Sequence, residues 1–347
     1  MDTKPTLRSQ SRRRKLLCIV LPIVVVCILA IALGVGLGIG LGGSGGDDND
    51  NDNNNTPSPL PNPNNTLPWV PAVSSTWQII LSHPPDLTAS SSLTPNVSIY
   101  DIDLFDTPQS TIDELHARGI KVICYFSAGS YENWRSDAKD FKDTDLGKPL
   151  DGWPGEKWID LNSENVRSIM KKRVQLASDK KCDAVDPDNV DAYILTLCLK
   201  QNDNGLNLKS QDSISYMQFL SNITAPLNLA LGLKNAGDII SAVLPIVHFS
   251  VNEQCVQYGE CSTFAPFIQA GKPVFHIEYP SGAGAEQGLK ENVLGDYCSK
   301  SGKGAGSESF STVLKKMELD GWVEYCDGSV NVTNINESLG GHDDGSS

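Results

Sequence analysis

The stretch 182–193, CDAVDPDNVDAY, places four carboxylates, Asp183, Asp186, Asp188 and Asp191, within nine residues. Pro187 stands among them, and a residue with no N–H that clashes with the preceding turn excludes a helix interior. A strand end fits: Ala184 and Val185 are burial candidates, and the acids emerge where the strand runs out. Two-residue periodicity sets Ala184, Asp186 and Asp188 on one face, so two carboxylates point the same way. Bunched carboxylates repel one another, and such a cluster meets a cation, a proton or a positively charged ligand. The plain alternative is a solvated acidic turn with N-capping aspartates.

The surrounding pattern supplies elements to position these groups. Short apolar runs predict strands at 77–81, 97–105, 121–128, 182–188, 227–233, 246–251, 273–279 and 311–317. Helices are predicted between them at 111–118, 163–180, 212–222, 238–244, 263–270 and 290–298. The clearest is 163–180, where Val166, Ile169, Met170, Val174 and Ala177 form one stripe behind a capping Asn162 or Ser163. Eight strands alternating with helices predict an α/β fold of the (β/α)8 TIM-like barrel type, with an open doubly wound sheet as the alternative. No G-x-G-x-x-G follows the first strand, which argues against a dinucleotide fold.

Working residues of such a barrel sit at the C-terminal ends of its strands. Those ends carry Asp101, Asp103 and Asp106, then Tyr125, Ser127 and Ser130, then Asp186 and Asp188. Lys234 and Asn235 follow, then Asn252 and Glu253, then His276, Glu278 and Tyr279, and finally Lys315, Lys316, Asp320, Trp322 and Glu324. Carboxylates gathered at one mouth, with aromatics beside them, match the two-carboxylate machinery of glycoside cleavage. Trp134, Trp153, Trp158, Tyr279 and Trp322 are candidates to stack on sugar faces, although tryptophans more often build a core. No G-x-S-x-G or H-E-x-x-H occurs, and the five histidines are dispersed. A calcium loop of EF type needs Gly and Glu where Asp191 and Leu197 stand, so no metal and no cofactor is predicted.

The rest of the chain bears on location. Residues 16–41 carry no charged side chain, and these 26 residues exceed the ~20 that span a bilayer as a helix. Lys4, Arg8, Arg12, Arg13, Arg14 and Lys15 precede the span, and Asp47, Asp48, Asp50 and Asp52 follow it. The basic flank stays in the cytoplasm, so the expectation is a single-pass type II protein of the cell membrane with its C-terminal domain extracellular. Expected segments are a cytoplasmic tail 1–15, a signal anchor 16–41, a low-complexity stalk 42–70, a catalytic domain 71–328 and a disordered tail 329–347. Seven cysteines lie outside the span, which suggests three bridges and one thiol. Cys124, inside the apolar run VICYF, is taken as the free one, leaving Cys182–Cys198, Cys255–Cys261 and Cys298–Cys326 as local pairs. Six N-x-[ST] sequons, at Asn54, Asn64, Asn96, Asn222, Asn331 and Asn336, fit a glycosylated ectodomain. Residues 71–328 hold 34 acidic against 22 basic side chains, which argues against nucleic acid and favours a cationic ligand.

Taken together, several stretches resemble the endo-α-1,4-polygalactosaminidases of glycoside hydrolase family 114, related to spherulin-4-like proteins. They are WQIIL at 77–81, YDIDLFD at 100–106, KVICYFSAGSYENWR at 121–135 and WIDLNSENV at 158–166. CDAVDPDNVDAY at 182–193, NEQC at 252–255, VFHIEY at 274–279 and FSTVLKKMELDGWVEYC at 310–326 continue the series. The resemblance implies a barrel that hydrolyses α-1,4-linked galactosamine chains in exopolysaccharide, with an Asp on strand four and a Glu on strand six as the catalytic pair. These are Asp188, or alternatively Asp186, and Glu253. Candidate substrate contacts are Asp103, Tyr125, Asp160, Asn189, Glu278, Tyr279 and Trp322. An acidic mouth suits a cationic galactosamine polymer. A glycan-binding ectodomain without catalysis, or another α-glycosidase such as an α-galactosidase, remains the alternative.

Overall fold

The structure, a computed structural model, describes residues 67–88, 93–193 and 204–340. The predicted membrane span, most of the stalk, Cys198 and the sequons Asn54 and Asn64 lie outside the described residues. No helix among the described residues is long and apolar enough to cross a membrane.

Among the described residues thirteen strands run in chain order: β1 (Trp77–Ile80), β2 (Ile99–Asp103), β3 (Lys121–Ser127), β4 (Ser130–Glu132), β5 (Leu146–Pro149), β6 (Glu156–Ile159) and β7 (Ala184–Asp188) come first. β8 (Ala230–Lys234), β9 (Phe249–Glu253), β10 (Val274–Glu278), β11 (Ser311–Leu314), β12 (Trp322–Tyr325) and β13 (Val330–Val332) follow. β1, β2, β3, β7, β8, β9, β10 and β11 lie side by side in that order, all parallel, and each overlaps one of the eight predicted strands. β12 and β13 extend the far edge antiparallel. β13 and the bridge between Pro85 and Ile335 order a stretch that the sequence assigns to a disordered tail. The helices are α1 (Gln109–Ala117), α2 (Glu164–Asp179), α3 (Ser210–Thr224), α4 (Ile240–Val243), α5 (Cys255–Tyr258), α6 (Ala265–Gln269) and α7 (Glu291–Cys298).

Inward positions of the parallel strands alternate with outward ones, as the pleat requires. Trp77, Ile79, Ile99, Ile123, Ala184, Ala230, Phe249, Val251, Phe275, Ile277 and Val313 form one buried cluster. Trp77 packs on Phe275 with ring centres 4.9 Å apart, and each such burial contributes about 1.5–3 kcal/mol. Gly232 lies in the same layer because a Cβ there would stand 2.5 Å from the Phe249 ring. The sheet curls until its first strand reaches its last ones. Trp77 Nε1 donates to Ser311 O (2.8 Å), Leu81 N to Leu319 O (2.9 Å) and Tyr325 OH to Trp77 O (2.9 Å). The result is a TIM-like α/β fold.

α2 follows its predicted stripe, with Val166, Ile169, Met170, Val174 and Ala177 buried and Ser163 as N-cap. A further buried residue on it, Arg173, reaches across to Ser127 O (2.6 Å) and to Asp137. The antiparallel sheet β4–β6–β5 between β3 and α2 was not predicted, because its strands are short and mostly polar.

The cysteine pairing differs from expectation at one bridge. Cys124 joins Cys182 with Cα atoms 6.0 Å apart, so Cys124 is not a free thiol and Cys182 is not paired with Cys198. Cys124 takes the parity opposite to inward Ile123, and the chain leaving α2 brings Cys182 alongside it. Cys255–Cys261 and Cys298–Cys326 form as predicted.

Candidate active site

β7 ends in Asp-Pro-Asp because its last turns of pleat face the mouth of the curled sheet. Pro187 is tolerated there as the outward residue between two inward acids. In register, Tyr125 of β3 lies beside Asp186 and Ser127 beside Asp188. Asp186 is completely buried, whereas the Asp188 side chain is 18 % exposed. Of the two acids, only Asp188 is open to a ligand.

Glu253, the last residue of β9, shares the inward parity of Phe249 and Val251 and is 24 % exposed. Between the two acids stands Lys234, the last residue of β8, with its side chain 2 % exposed. Its Nζ lies 3.3 Å from Asp188 Oδ2, 3.7 Å from Asp186 Oδ2 and 3.8 Å from Glu253 Oε2. Asp188 Oδ2 and Glu253 Oε2 therefore stand no farther apart than the first and last of these distances laid end to end. Burial works to lower the Lys234 pKa, but the Asp188, Glu253, Asp186 and Asp101 carboxylates outweigh it and hold the ammonium well above its usual range.

Each open carboxylate has its own holders. Tyr125 OH donates to Asp188 Oδ2 (3.1 Å) and Asn189 N to Asp188 Oδ1 (2.7 Å). Asn235 Nδ2 donates to Glu253 Oε2 (3.0 Å), and Tyr279 OH donates to Glu253 Oε1 at 2.5 Å. Burial first, and then the Glu253 charge, push the Tyr279 phenol well up, so it stays a proton donor. Asn189 adopts a left-handed φ of 59°, and its side chain donates to Ser127 Oγ (3.0 Å) and Ser130 Oγ (3.3 Å). Gly129 is required opposite it, since a Cβ would fall 1.7 Å from Asn189 O.

Beneath this layer lie two fully buried acids, Asp101 and Asp186, whose carboxylate oxygens have no hydrogen-bond partner. Burial, countered by Lys234, pushes Asp186 up to about 7. Burial and the Asp186 charge push Asp101 well above the usual carboxylate range. Groups with these shifts hold protons near neutral pH.

Other predicted contacts are placed differently. Asp103 is 3 % exposed and is held by Arg135 through Oδ1 (3.0 Å) and Oδ2 (2.6 Å), with the Phe105 and Asp106 N–H groups on Oδ1. It braces the loop after β2 and offers little to a ligand. Glu278 takes the outward parity beside inward Ile277, is completely buried, and accepts from Val256 N (2.6 Å) with His276 Nε2 at 2.9 Å. It faces away from the mouth. Cys255, Cys261 and His276 lie close enough to hold a metal, but the two sulfurs are bonded to each other. Trp322 is 4 % exposed and donates to Ala285 O, so its ring is no open platform. Asp160 caps the turn before α2 by accepting from Asn162 N (2.9 Å). Trp153 is the tryptophan left exposed, at the β5–β6 turn.

A TIM-like parallel sheet with two open carboxylates at its C-terminal edge is the arrangement of a glycoside hydrolase. The sequence model of glycoside-hydrolase family GH114 matches residues 58–331. The chain belongs to that family and is a hydrolase. It is 51 % identical to Aspergillus fumigatus Ega3, whose crystal structure was solved in complex with galactosamine. That match covers 75 % of this chain and 98 % of Ega3, with a TM-score of 0.68. The glycoside hydrolase domain of PelA from Pseudomonas aeruginosa shares the fold at 12 % identity and a TM-score of 0.52, covering 76 % of this chain and 99 % of that domain. No curated protein matches the chain.

Proposed function

We propose that the chain cleaves α-1,4-linked galactosamine in partly deacetylated exopolysaccharide, with Asp188 as nucleophile and Glu253 as acid and then base. The observation that carries the reading is the pair of open carboxylates sharing Lys234. The two oxygens that face Lys234 have a separation ceiling of about 7 Å, which admits the ~5–5.5 Å of retaining enzymes. Asp188 attacks C1 while Glu253 protonates the leaving oxygen, and Glu253 then activates water against the glycosyl-enzyme. Asp186, sealed beneath, is not the nucleophile in this scheme. The galactosamine in the related Ega3 structure and the acidic surface of this domain support a cationic polymer as substrate.

The same reading takes the curled sheet as a closed (β/α)8 barrel, supported by the bonds from β1 to β11 and β12. It places this domain outside the cell, tethered by residues 16–41 and the stalk. Supporting that placement, Asn96 and Asn222 are exposed, Asn331 and Asn336 are half-buried at the surface, and three disulfides form. The decisive experiment measures reducing ends released from deacetylated galactosamine polymer. Asp188→Asn and Glu253→Gln are each expected to fold normally and to lose about 10²–10⁴-fold in rate. Full activity in Glu253→Gln would sink the mechanism.

A further inference from the structure

We propose that Lys234 is a positioning residue that acts as a shared counter-ion, holding Asp188 ionised in the free enzyme and compensating the charge that moves to Glu253 during attack. The inference rests on the catalytic roles given to those two acids above. Lys234 is 2 % exposed, so it reaches no substrate, yet its Nζ lies within 4 Å of three carboxylates contributed by β7 and β9. Its ammonium also lies 5.2 Å from the centre of the Tyr125 ring, which fixes it between the strands.

Charge follows the reaction in a closed cycle. In the proposed cycle, attack starts from Asp188 as a carboxylate with a proton on Glu253. When Asp188 bonds to C1, the bond from C1 to the leaving oxygen breaks and that oxygen takes the Glu253 proton. Asp188 is then a neutral ester and Glu253 a carboxylate, so one negative charge has passed from one side of Lys234 to the other. Water next gives a proton to Glu253 and its hydroxyl to C1, the ester bond breaks, and the charge returns to Asp188. A cation held 3.3 Å from one acid and 3.8 Å from the other serves both states without moving.

The other acids facing this cation bind protons more readily than ordinary carboxylates. Asp186 of β7 is pushed up to about 7 by burial, and Asp101 of β2 is raised well above its usual value by burial and the Asp186 charge. Asp191, after β7, is pushed up to about 7 by burial and by the Asp188 charge. Tyr125 and Tyr279 are both raised by burial and remain neutral donors. Of the acids within 4 Å of the ammonium, Asp188 at 3.3 Å is the nearest.

Lys234→Met and Lys234→Arg test this in two ways. NMR of 13C-carboxyl-labelled protein, with no substrate present, follows the acids directly. In Lys234→Met the carboxylates around Lys234 are expected to titrate more than one pH unit higher, and in Lys234→Arg to stay close to wild type. With substrate, Lys234→Met is expected to lose about 10²-fold in kcat with KM within about threefold, while the acid limb of its pH profile moves upward. Lys234→Arg should restore that limb. Should Lys234→Met not fold, Lys234→Gln reads the same quantities. Unchanged carboxylate titration in the neutral variant would overturn the proposal whatever the polymer, and so would an acid limb that Lys234→Arg fails to restore. Failure of the wild type to cleave galactosamine polymer would count against the substrate reading alone, since the NMR measurement needs none.

Discussion

Arg135→Met is expected to destabilise the domain severely while leaving substrate affinity alone. Arg135 is 7 % exposed and binds Asp103 through two parallel hydrogen bonds, Glu132 Oε1 at 3.0 Å and Asp106 Oδ2 at 3.2 Å. Methionine keeps the length of the stem and removes every one of these donors. Breaking a buried pair by deleting one partner costs about 3–5 kcal/mol, because the other charge stays buried. Two features place this case near the lower figure. Asp103 keeps the Phe105 and Asp106 N–H groups, each at 2.8 Å, and Glu132 keeps Arg173 at 3.6 Å. Burial already pushes Glu132 above its usual value, so it can take up a proton when its cation is lost. At about 2–4 °C per kcal/mol for a domain of this size, the melting temperature should fall by ~6–12 °C. Calorimetry at neutral pH and one fixed scan rate measures the fall, and steady-state kinetics below the transition measures KM. A fall under ~2 °C would refute the assignment of this cluster to stability. An unchanged Tm with a tenfold rise in KM would return Asp103 to the binding site, where sequence alone had put it.

Asp186→Asn should change how stability depends on pH. Asp186 titrates near 7 when folded, against ~3.9 for an unfolded aspartate, so the folded chain binds the extra proton between those values. Stability from this group is therefore present below about pH 4, is lost as pH rises toward 7, and levels off above. The asparagine variant lacks that loss, and its Tm relative to wild type should climb from pH 4 to 7; a falling difference would refute the burial argument. Glu278→Met removes the acceptor for Val256 N and should lower Tm by a few degrees, with KM and its salt dependence unchanged. A weaker, less salt-sensitive KM would instead mean that Glu278 faces the substrate.

The eight parallel strands were legible because their inward positions are apolar up to the mouth, so each reads as a short hydrophobic run. α2 was legible through its 3.6-residue stripe and its serine cap. The β4–β6–β5 sheet carries neither period, since Ser130–Glu132 and Leu146–Pro149 pair through backbone with few apolar side chains. Disulfide pairing was read from proximity along the chain, which fails where parallel strands meet. Cys124 and Cys182 are 58 residues apart, yet β3 and β7 are neighbours in the sheet. The outward place of Glu278 follows from the pleat. Counting by twos from Phe275 and Ile277, which are apolar and inward, sends Glu278 to the outer face beside His276.

Residue type alone could not separate Asp186 from Asp188, because alternation fixes the face of a strand residue and says nothing of its depth. Depth comes from the neighbour. Tyr125 sits in register with Asp186, and its hydroxyl reaches past that level to Asp188 Oδ2, so the phenol lies alongside the lower acid and holds the upper one. Lys234 was legible as a strand-end residue, but its burial was not, because the predicted strand stops at Leu233, whereas Ala230 and Gly232 carry the inward parity to residue 234. A lysine driven inward at a strand end beside acids on both neighbouring strands has only carboxylates to bond, and its burial is stable only while at least one of them stays ionised. Of the two β7 acids, Asp188 is the one that is both open to solvent and nearest the buried ammonium.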